Sequence, residues 1–355
     1  MKDNELQYWL GFNALWSVGP TRFKALFNYF PTLETAWNAN LSQLRQAGFS
    51  DKVAAKIVSE RKNVNPAELL ENLKKDELNV LTQKNPEFPS LLQGIYDPPM
   101  LLYYKGKLEC VSKLCLAVVG PRKASNYGKN ITQELIKDLA PYNITIVSGL
   151  ALGIDAIAHQ AALDTNLATI AVLGSGLNKI FPIHNQGIAQ DIINSGGLIL
   201  SEFEPEMHAN KQTFPIRNRI ISGLCSATLI VEAGAKSGAL VTAECALDQG
   251  REVLSVPGNI TSLQSHGTNK LIKDGATIVT NANDILNALN LTENKISSTN
   301  IPIAFSSESE KQIYELLIQQ GMTVDTIIDT TKLDPAVVHA TISTLELKGY
   351  TSNHE

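Results

Sequence analysis

A chain of 355 residues with 44% hydrophobic content is long enough for two or three domains and has the make-up of a soluble globular protein. Its net charge of −5 speaks only weakly against a polyanionic partner, because eight Lys/Arg face five Asp/Glu in residues 1–65 while three face eight in residues 301–355. No uninterrupted apolar run reaches the ~18 residues of a membrane span, the opening MKDNELQYWL lacks the apolar centre of a secretion signal, and the expectation is a cytoplasmic protein.

Residues 1–65 read as helical, with two hairpin-like turns. LWSVGP (15–20) precedes an amphipathic run at 21–30, and LRQAGF (44–49) precedes one at 51–61. A glycine between apolar residues before a helix has the look of a SAM-like helix-hairpin-helix pair, whose helix N-termini can meet phosphate. A plain helical bundle punctuated by glycine fits the same pattern. Residues 66–290 read as an α/β body. NPEFP (85–89) and DPP (97–99) mark irregular approach segments. Short apolar runs without alternation then recur at 114–120, 144–149, 169–174, 198–201, 228–233, 253–256 and 277–280. Such runs are buried strands, and helical stretches between them imply right-handed crossovers and a mostly parallel sheet. The fold class expected is a doubly wound, mostly parallel α/β core with a small helical N-terminal domain. Residues 291–307 are polar and aperiodic, a linker. Helical periodicity returns over 308–355, where three short helices resemble a winged-helix core. The chain stops soon after Gly349-Tyr350, so the wing is expected to be short or missing.

In doubly wound sheets ligands bind beyond the carboxyl ends of the strands, so those turns are the candidate sites. In Gly120-Pro121-Arg122-Lys123-Ala124-Ser125, Pro121 removes an N–H that a phosphate cradle would use, and Arg122 offers a fork in its place. In the next turn Ser148 and Gly149 suit a phosphate, Asp155 suits organising the turn, and His159 reads as a structural histidine with no nucleophile beside it. The third turn carries Lys179 and Phe181; the ring is either core or a platform for a base. In PIRNRIISG, Arg217 and Arg219 point apart on a helix, with Arg217 and Asn218 facing the groove and Lys211 upstream. Ser237-Gly238, after Lys236, opens another helix and is an anion seat. Eight cations gather on this edge (Arg122, Lys123, Lys129, Lys179, Lys211, Arg217, Arg219, Lys236), which suits a polyanion better than a single nucleotide. The four cysteines form no CxxC pair and no His/Cys cluster has zinc-ligand spacing. Cys225 and Cys245 read as packed thiols, and no metal or cofactor is expected.

VGPRKASNYG (119–128), SGLALGIDAIAHQAAL (148–163), GSG…FP (174–182), PIRNRIISGL (215–224), VEAGAKSGALVTAECAL (231–247) and VPG…SHGTNKLIKDGA (256–276) together resemble the DprA/Smf family of bacterial DNA-processing proteins. The three-segment plan matches as well. The resemblance implies an extended Rossmann-like core that binds single-stranded DNA as a homodimer, protects incoming DNA in natural transformation and loads the RecA recombinase, without catalysis. It carries a DNA-facing role onto Arg122, Ser148, Gly149, Lys179, Phe181, Arg217 and Asn218. It also directs dimer pairing to residues 258–276, with Leu271 and Ile272 as apolar candidates. Pro121 departs from the family, where a small polar residue is more usual. The tail helix expected at 334–347 has no Lys or Arg, so it suits a protein contact or a regulatory role better than a DNA groove. The alternative is a nucleoside-monophosphate phosphoribohydrolase of the Lonely Guy, or lysine-decarboxylase-like, group. AGAKSGALVTAE (233–244) keeps that group's acid as Glu244 but lacks its double glycine. A nicotinamide dehydrogenase ranks below it, because no GxGxxG turn is followed by a ribose-binding acid.

Overall fold

Proline and capping side chains start most of the helices that open the chain. The computed structural model describes residues 3–291, 307–319 and 324–347. It begins with α1 (Asp3–Asn13), α2 (Pro20–Tyr29), α3 (Leu33–Asn38), α4 (Leu41–Gln46), α5 (Asp51–Arg61) and α6 (Pro66–Lys75). Pro20 and Pro66 sit in first turns, where a missing N–H costs nothing. Thr32 and Asn40 close capping boxes. Trp9 packs on Phe23 with ring centroids 4.7 Å apart, and Phe12 meets Trp37 edge-on at 5.1 Å. Arg61 donates to the carbonyls of Ala36, Trp37 and Ala39, fastening α5 to the end of α3. Both expected hairpins are present, around Gly19 and around Gly48, the latter at φ +92°.

The α/β body follows as β1 (Asn79–Thr82), α7 (Ser90–Gln93), β2 (Leu101–Gly106), β3 (Cys115–Val119), α8 (Asn126–Leu139), β4 (Thr145–Ser148), α9 (Ile154–Asp164) and β5 (Thr169–Val172). Then come α10 (Gln186–Asn194), β6 (Leu198–Ser201), α11 (Thr213–Gly223), β7 (Ala227–Ile230), α12 (Gly238–Asp248), β8 (Glu252–Ser255), α13 (His266–Lys273), β9 (Thr277–Ile278) and α14 (Ala282–Ala288). The strand order is β1-β2-β6-β5-β4-β3-β7-β8-β9. The runs read as strands in the sequence form the seven parallel members. β1 and β2 add an antiparallel extension beyond β6, which makes the sheet mixed. On β3, Leu116 and Val118 join one buried cluster while Cys115, Ala117 and Val119 join the other, so both faces are covered and no polar alternation is left to read.

Chain connections run from β3 outward through β4, β5 and β6, then return to β7 beside β3. The switch point therefore lies between β3 and β7, and this locates the binding crevice before any side chain is considered.

Contacts divide the chain into two compact units, Met1–Ile296 and Ser297–Glu355. One apolar cluster runs from Trp9, Phe23 and Leu44 of the opening helices to Met100, Leu173 and Ile192 of the body, so residue 65 does not mark a break between cores. In the second unit, α15 (Glu308–Gln319), α16 (Val324–Thr331) and α17 (Pro335–Leu347) pack around Ile313, Ile327, Val338 and Leu345. The expected short or missing wing, and residues 292–306 of the expected linker, lie outside the described residues. No helix among the described residues is long and apolar enough to cross a membrane.

Candidate nucleic-acid interface

A cleft of about 400 Å³ opens at the switch point, lined by Gly120, Pro121 and Arg122 after β3, Phe214, Arg217 and Asn218 of α11, and Ser237 and Gly238 at the start of α12. The turns that frame it are tied together. Ser125 caps α8 through Gly128 N (3.0 Å) and binds the buried Glu232 carboxylate after β7 through its own N–H (3.0 Å) and Oγ (2.5 Å). Gly153 takes φ +80°, and Ile154 N donates to Pro121 O at 3.3 Å. Asp155 Oδ2 accepts from Gly149 N (3.2 Å) and Ala151 N (3.4 Å), the turn-organising role expected of it. Burial pushes the Asp155 carboxyl up, and the charge of Arg217 and these N–H bonds pull it back.

Arg122, Lys123, Lys211 and Lys236 are exposed at this edge. The Arg122 guanidinium lies 5.1 Å from the Phe214 ring centre, and Phe214 stands 5.9 Å from Phe181, which is 48% exposed. Phe181 is thus not core, and the two rings make an apolar step beside the cations. Ser237 caps α12 through Ala239 N at 3.3 Å and leaves Gly238 open to solvent.

Several expected contacts are placed differently. Ser148 is fully buried and its hydroxyl donates to Val118 O (2.7 Å), so it cannot reach a strand. Gly149 is also buried: a Cβ there would come within 2.5 Å of Arg217 Nη1, so this glycine makes room for a guanidinium and not for a phosphate. Arg217 itself is 4% exposed. Its Nη1 donates to Gly149 O (2.6 Å) and Val172 O, and its Nε to Asn218 Oδ1 (3.1 Å). Burial lowers its pKa to about 10, which leaves it charged at neutral pH. Arg219 leaves the edge altogether, bridging Asp97 (3.0 Å) and the half-buried Glu202 (2.6 Å) on the far side of α11. Lys179 pairs with Glu206 at 2.8 Å, and that hydrogen bond holds the Glu206 carboxyl below its usual range. The gathering of eight free cations expected from sequence is therefore smaller, because burial and ion pairing occupy Arg217, Arg219 and Lys179.

His159 fits the structural reading. Thr169 Oγ1 donates to Ile146 O (2.9 Å), so His159 Nδ1 is the donor in its 2.7 Å bond to that hydroxyl. Burial drives its pKa down to about 3, keeping the ring neutral. Cys225 is buried and Cys245 half-buried, both as free thiols. Among the described residues no cluster of three or more His, Cys, Asp or Glu is placed to hold a metal ion. Leu271 packs against the core of its own unit, Ile272 is half-buried, and Ile278 on the edge strand β9 is 47% exposed. Phe214 and Thr242 also line the cleft, without a role expected from the sequence. The signal for Phe214 was an aromatic one residue before Pro215 at the start of α11; Thr242 becomes visible only once α12 is set against β3.

A family model described as DNA recombination-mediator protein A matches residues 79–290, and one described as the DprA winged helix domain matches residues 301–354. Protein Smf of Synechocystis sp. is 40% identical over 294 residues, which are 81% of this chain and 74% of that protein. DNA processing protein DprA of Streptococcus pneumoniae is 36% identical over 275 residues, 70% of this chain and 97% of its own. The X-ray structure of DNA processing protein A from that organism covers 81% of this chain and 98% of its own, with TM-score 0.69 and 34% identity. A structure of DNA processing protein A from Helicobacter pylori, described by its single-stranded DNA binding mode, covers 60% of this chain and 96% of its own, with TM-score 0.55 and 32% identity. A core matched over 79–290 and a tail matched over 301–354, in the order in which the chain folds them, make this protein a member of the DNA recombination-mediator protein A, or DprA/Smf, family.

Proposed function

We propose that this chain binds single-stranded DNA along the carboxyl edge of its sheet, and that in doing so it protects incoming DNA and delivers it to the RecA recombinase during natural transformation. The observation that carries the reading is the edge itself: Arg122, Lys123, Lys211 and Lys236 are exposed there, Arg122 lies over the Phe214 ring, and Phe214 stands beside Phe181. Cations that follow a backbone beside aromatic faces that stack bases are the two components of sequence-tolerant single-strand binding. The matching family model is described as a recombination mediator, and the role argued here is likewise one of binding. Lys179 joins the contact set by exchanging Glu206 for a phosphate, and Arg217 with Asn218 supports it from below.

Pairing of two copies is proposed for residues 258–276, where Ile272 of α13 is half-buried and Leu271 packs against the core. The domain plan proposed is a helical segment at 1–65, the DNA-binding body at 66–290, a linker at 291–307 and a winged-helix-like unit at 308–355 for protein contact or regulation.

A competition assay tests the function. Unlabelled oligo(dT) is expected to displace a labelled oligo(dT) from the full chain at a lower nucleotide concentration than duplex of equal length does, because a rigid duplex cannot lay its bases on Phe181 and Phe214. Equal competition by duplex would remove the single-strand reading.

A further inference from the structure

Two side chains in the cleft between β3 and β7 each have a hydrogen-bonding atom without a partner among the described residues. Thr242 is 2% exposed and lines the cleft one turn into α12, yet its hydroxyl makes no hydrogen bond with the protein. Arg217, which also lines the cleft, commits Nη1 and Nε and leaves Nη2 without a protein partner. Neither atom is sealed from solvent, so each is a position where a ligand atom can take the place of water. Both sit in a concavity whose volume is within the ~300–1,000 Å³ range of small-molecule sites.

The rest of the lining says what kind of molecule fits. Arg122 at the rim, Arg217 Nη2 and the N-terminus of the 11-residue α12 at Gly238 favour a phosphate. A Cβ at Gly238 would meet nothing within 4 Å, so an oxyanion can come close to that backbone. Val119, Ile221 and Ala239 supply an apolar flank suited to a sugar face and a base. Asp155 repels phosphate but accepts from a ribose hydroxyl or a base amine, and it too lines the cleft. Anion seat, apolar flank and a carboxylate acceptor in one small cleft are the complement of a single nucleotide.

We propose that this cleft binds one free nucleoside 5′-monophosphate, with its phosphate held by Arg122, Arg217 Nη2 and the start of α12, and a hydroxyl in contact with Thr242. The edge-wide cations serve a strand; this cleft within the edge serves one nucleotide, and occupancy by either claims Arg122. The inference rests on the cleft and not on the DNA reading, so the two fail separately.

Calorimetric titration of the full chain with adenosine 5′-monophosphate tests it, with inorganic phosphate as the second titrant and labelled oligo(dT) as a parallel probe. The nucleotide is expected to bind at roughly millimolar concentration or better and several-fold more tightly than phosphate. Thr242→Val removes the hydroxyl at nearly constant volume and should weaken the nucleotide about tenfold. Gly238→Glu, at a position with open space around it, should abolish nucleotide binding. Binding to the nucleotide that equals binding to phosphate reduces the cleft to an anion seat and overturns the proposal. So does a nucleotide affinity that both substitutions leave unchanged, or no nucleotide binding from a protein that still holds oligo(dT). Nucleotide binding without any oligo(dT) binding upholds the cleft and removes the DNA reading instead.

Discussion

Arg217 commits its buried guanidinium to the carbonyls of Gly149 and Val172, whereas Arg122 reaches into solvent over the Phe214 ring. The two were alike in sequence, both basic and both near a strand-end turn. They differ in burial, which depends on how α11 crosses the ends of β4 and β5 and has no signature in residue type. The difference has a measurable consequence. Arg217→Ala strands two buried carbonyls and leaves Asp155 without its nearest positive charge, so it should lower unfolding stability by about 2–4 kcal/mol in urea. Arg122→Ala, at the surface, should change stability by no more than about 0.5 kcal/mol. An Arg217→Ala protein as stable as the parent would show that this guanidinium is not part of the fold. Asp155 and His159 were legible because their neighbours in sequence pointed that way, a turn to organise for one and no nucleophile beside the other.

At the level of elements, the seven parallel strands could be read because strands buried on both faces are written as unbroken apolar runs. β1 and β2 were missed for the opposite reason. β1 is an edge strand with one exposed and one half-buried residue, and prolines at 86, 89, 98 and 99 fill the segment between the two. The strand-end glycines were seen but their purpose was not: Gly149 accommodates Arg217, and a Cβ at Gly174 would approach the Phe214 ring to 2.9 Å. They bring α11 down onto the sheet, which is what forms the cleft wall. On α11 the side of each arginine was legible, with Arg217 toward the cleft, but the burial of Arg217 and the pairing of Arg219 with Asp97 and Glu202 were not. In the second unit α17 exposes Val337 and His339 and carries no Lys or Arg, a poor surface for phosphate. Deleting residues 301–355 should therefore leave the affinity for oligo(dT) within about twofold; a loss beyond tenfold would assign that unit to the DNA interface.

Over the whole molecule, a chain of net charge −5 presents exposed Arg122, Lys123, Lys211 and Lys236 at the edge where a doubly wound sheet offers binding sites. The sequence located that edge and its polarity. It overstated the number of free charges, because ion pairs such as Lys179–Glu206 and Arg219–Glu202 join residues 27 and 17 positions apart and form only in the fold. What remains is a small set of phosphate contacts set against an overall repulsive charge, and binding governed this way must weaken as counterions are added. Fluorescence anisotropy of labelled oligo(dT) across a salt series, run on the parent and on Arg122→Ala, measures this directly. The account predicts a linear fall of log affinity with log salt for the parent, and a slope shallower by about 0.7 for the substituted protein, the share of one single-strand phosphate contact. Parent binding that does not respond to salt, or an Arg122→Ala slope and affinity equal to the parent's, would contradict the claim that this edge holds the strand.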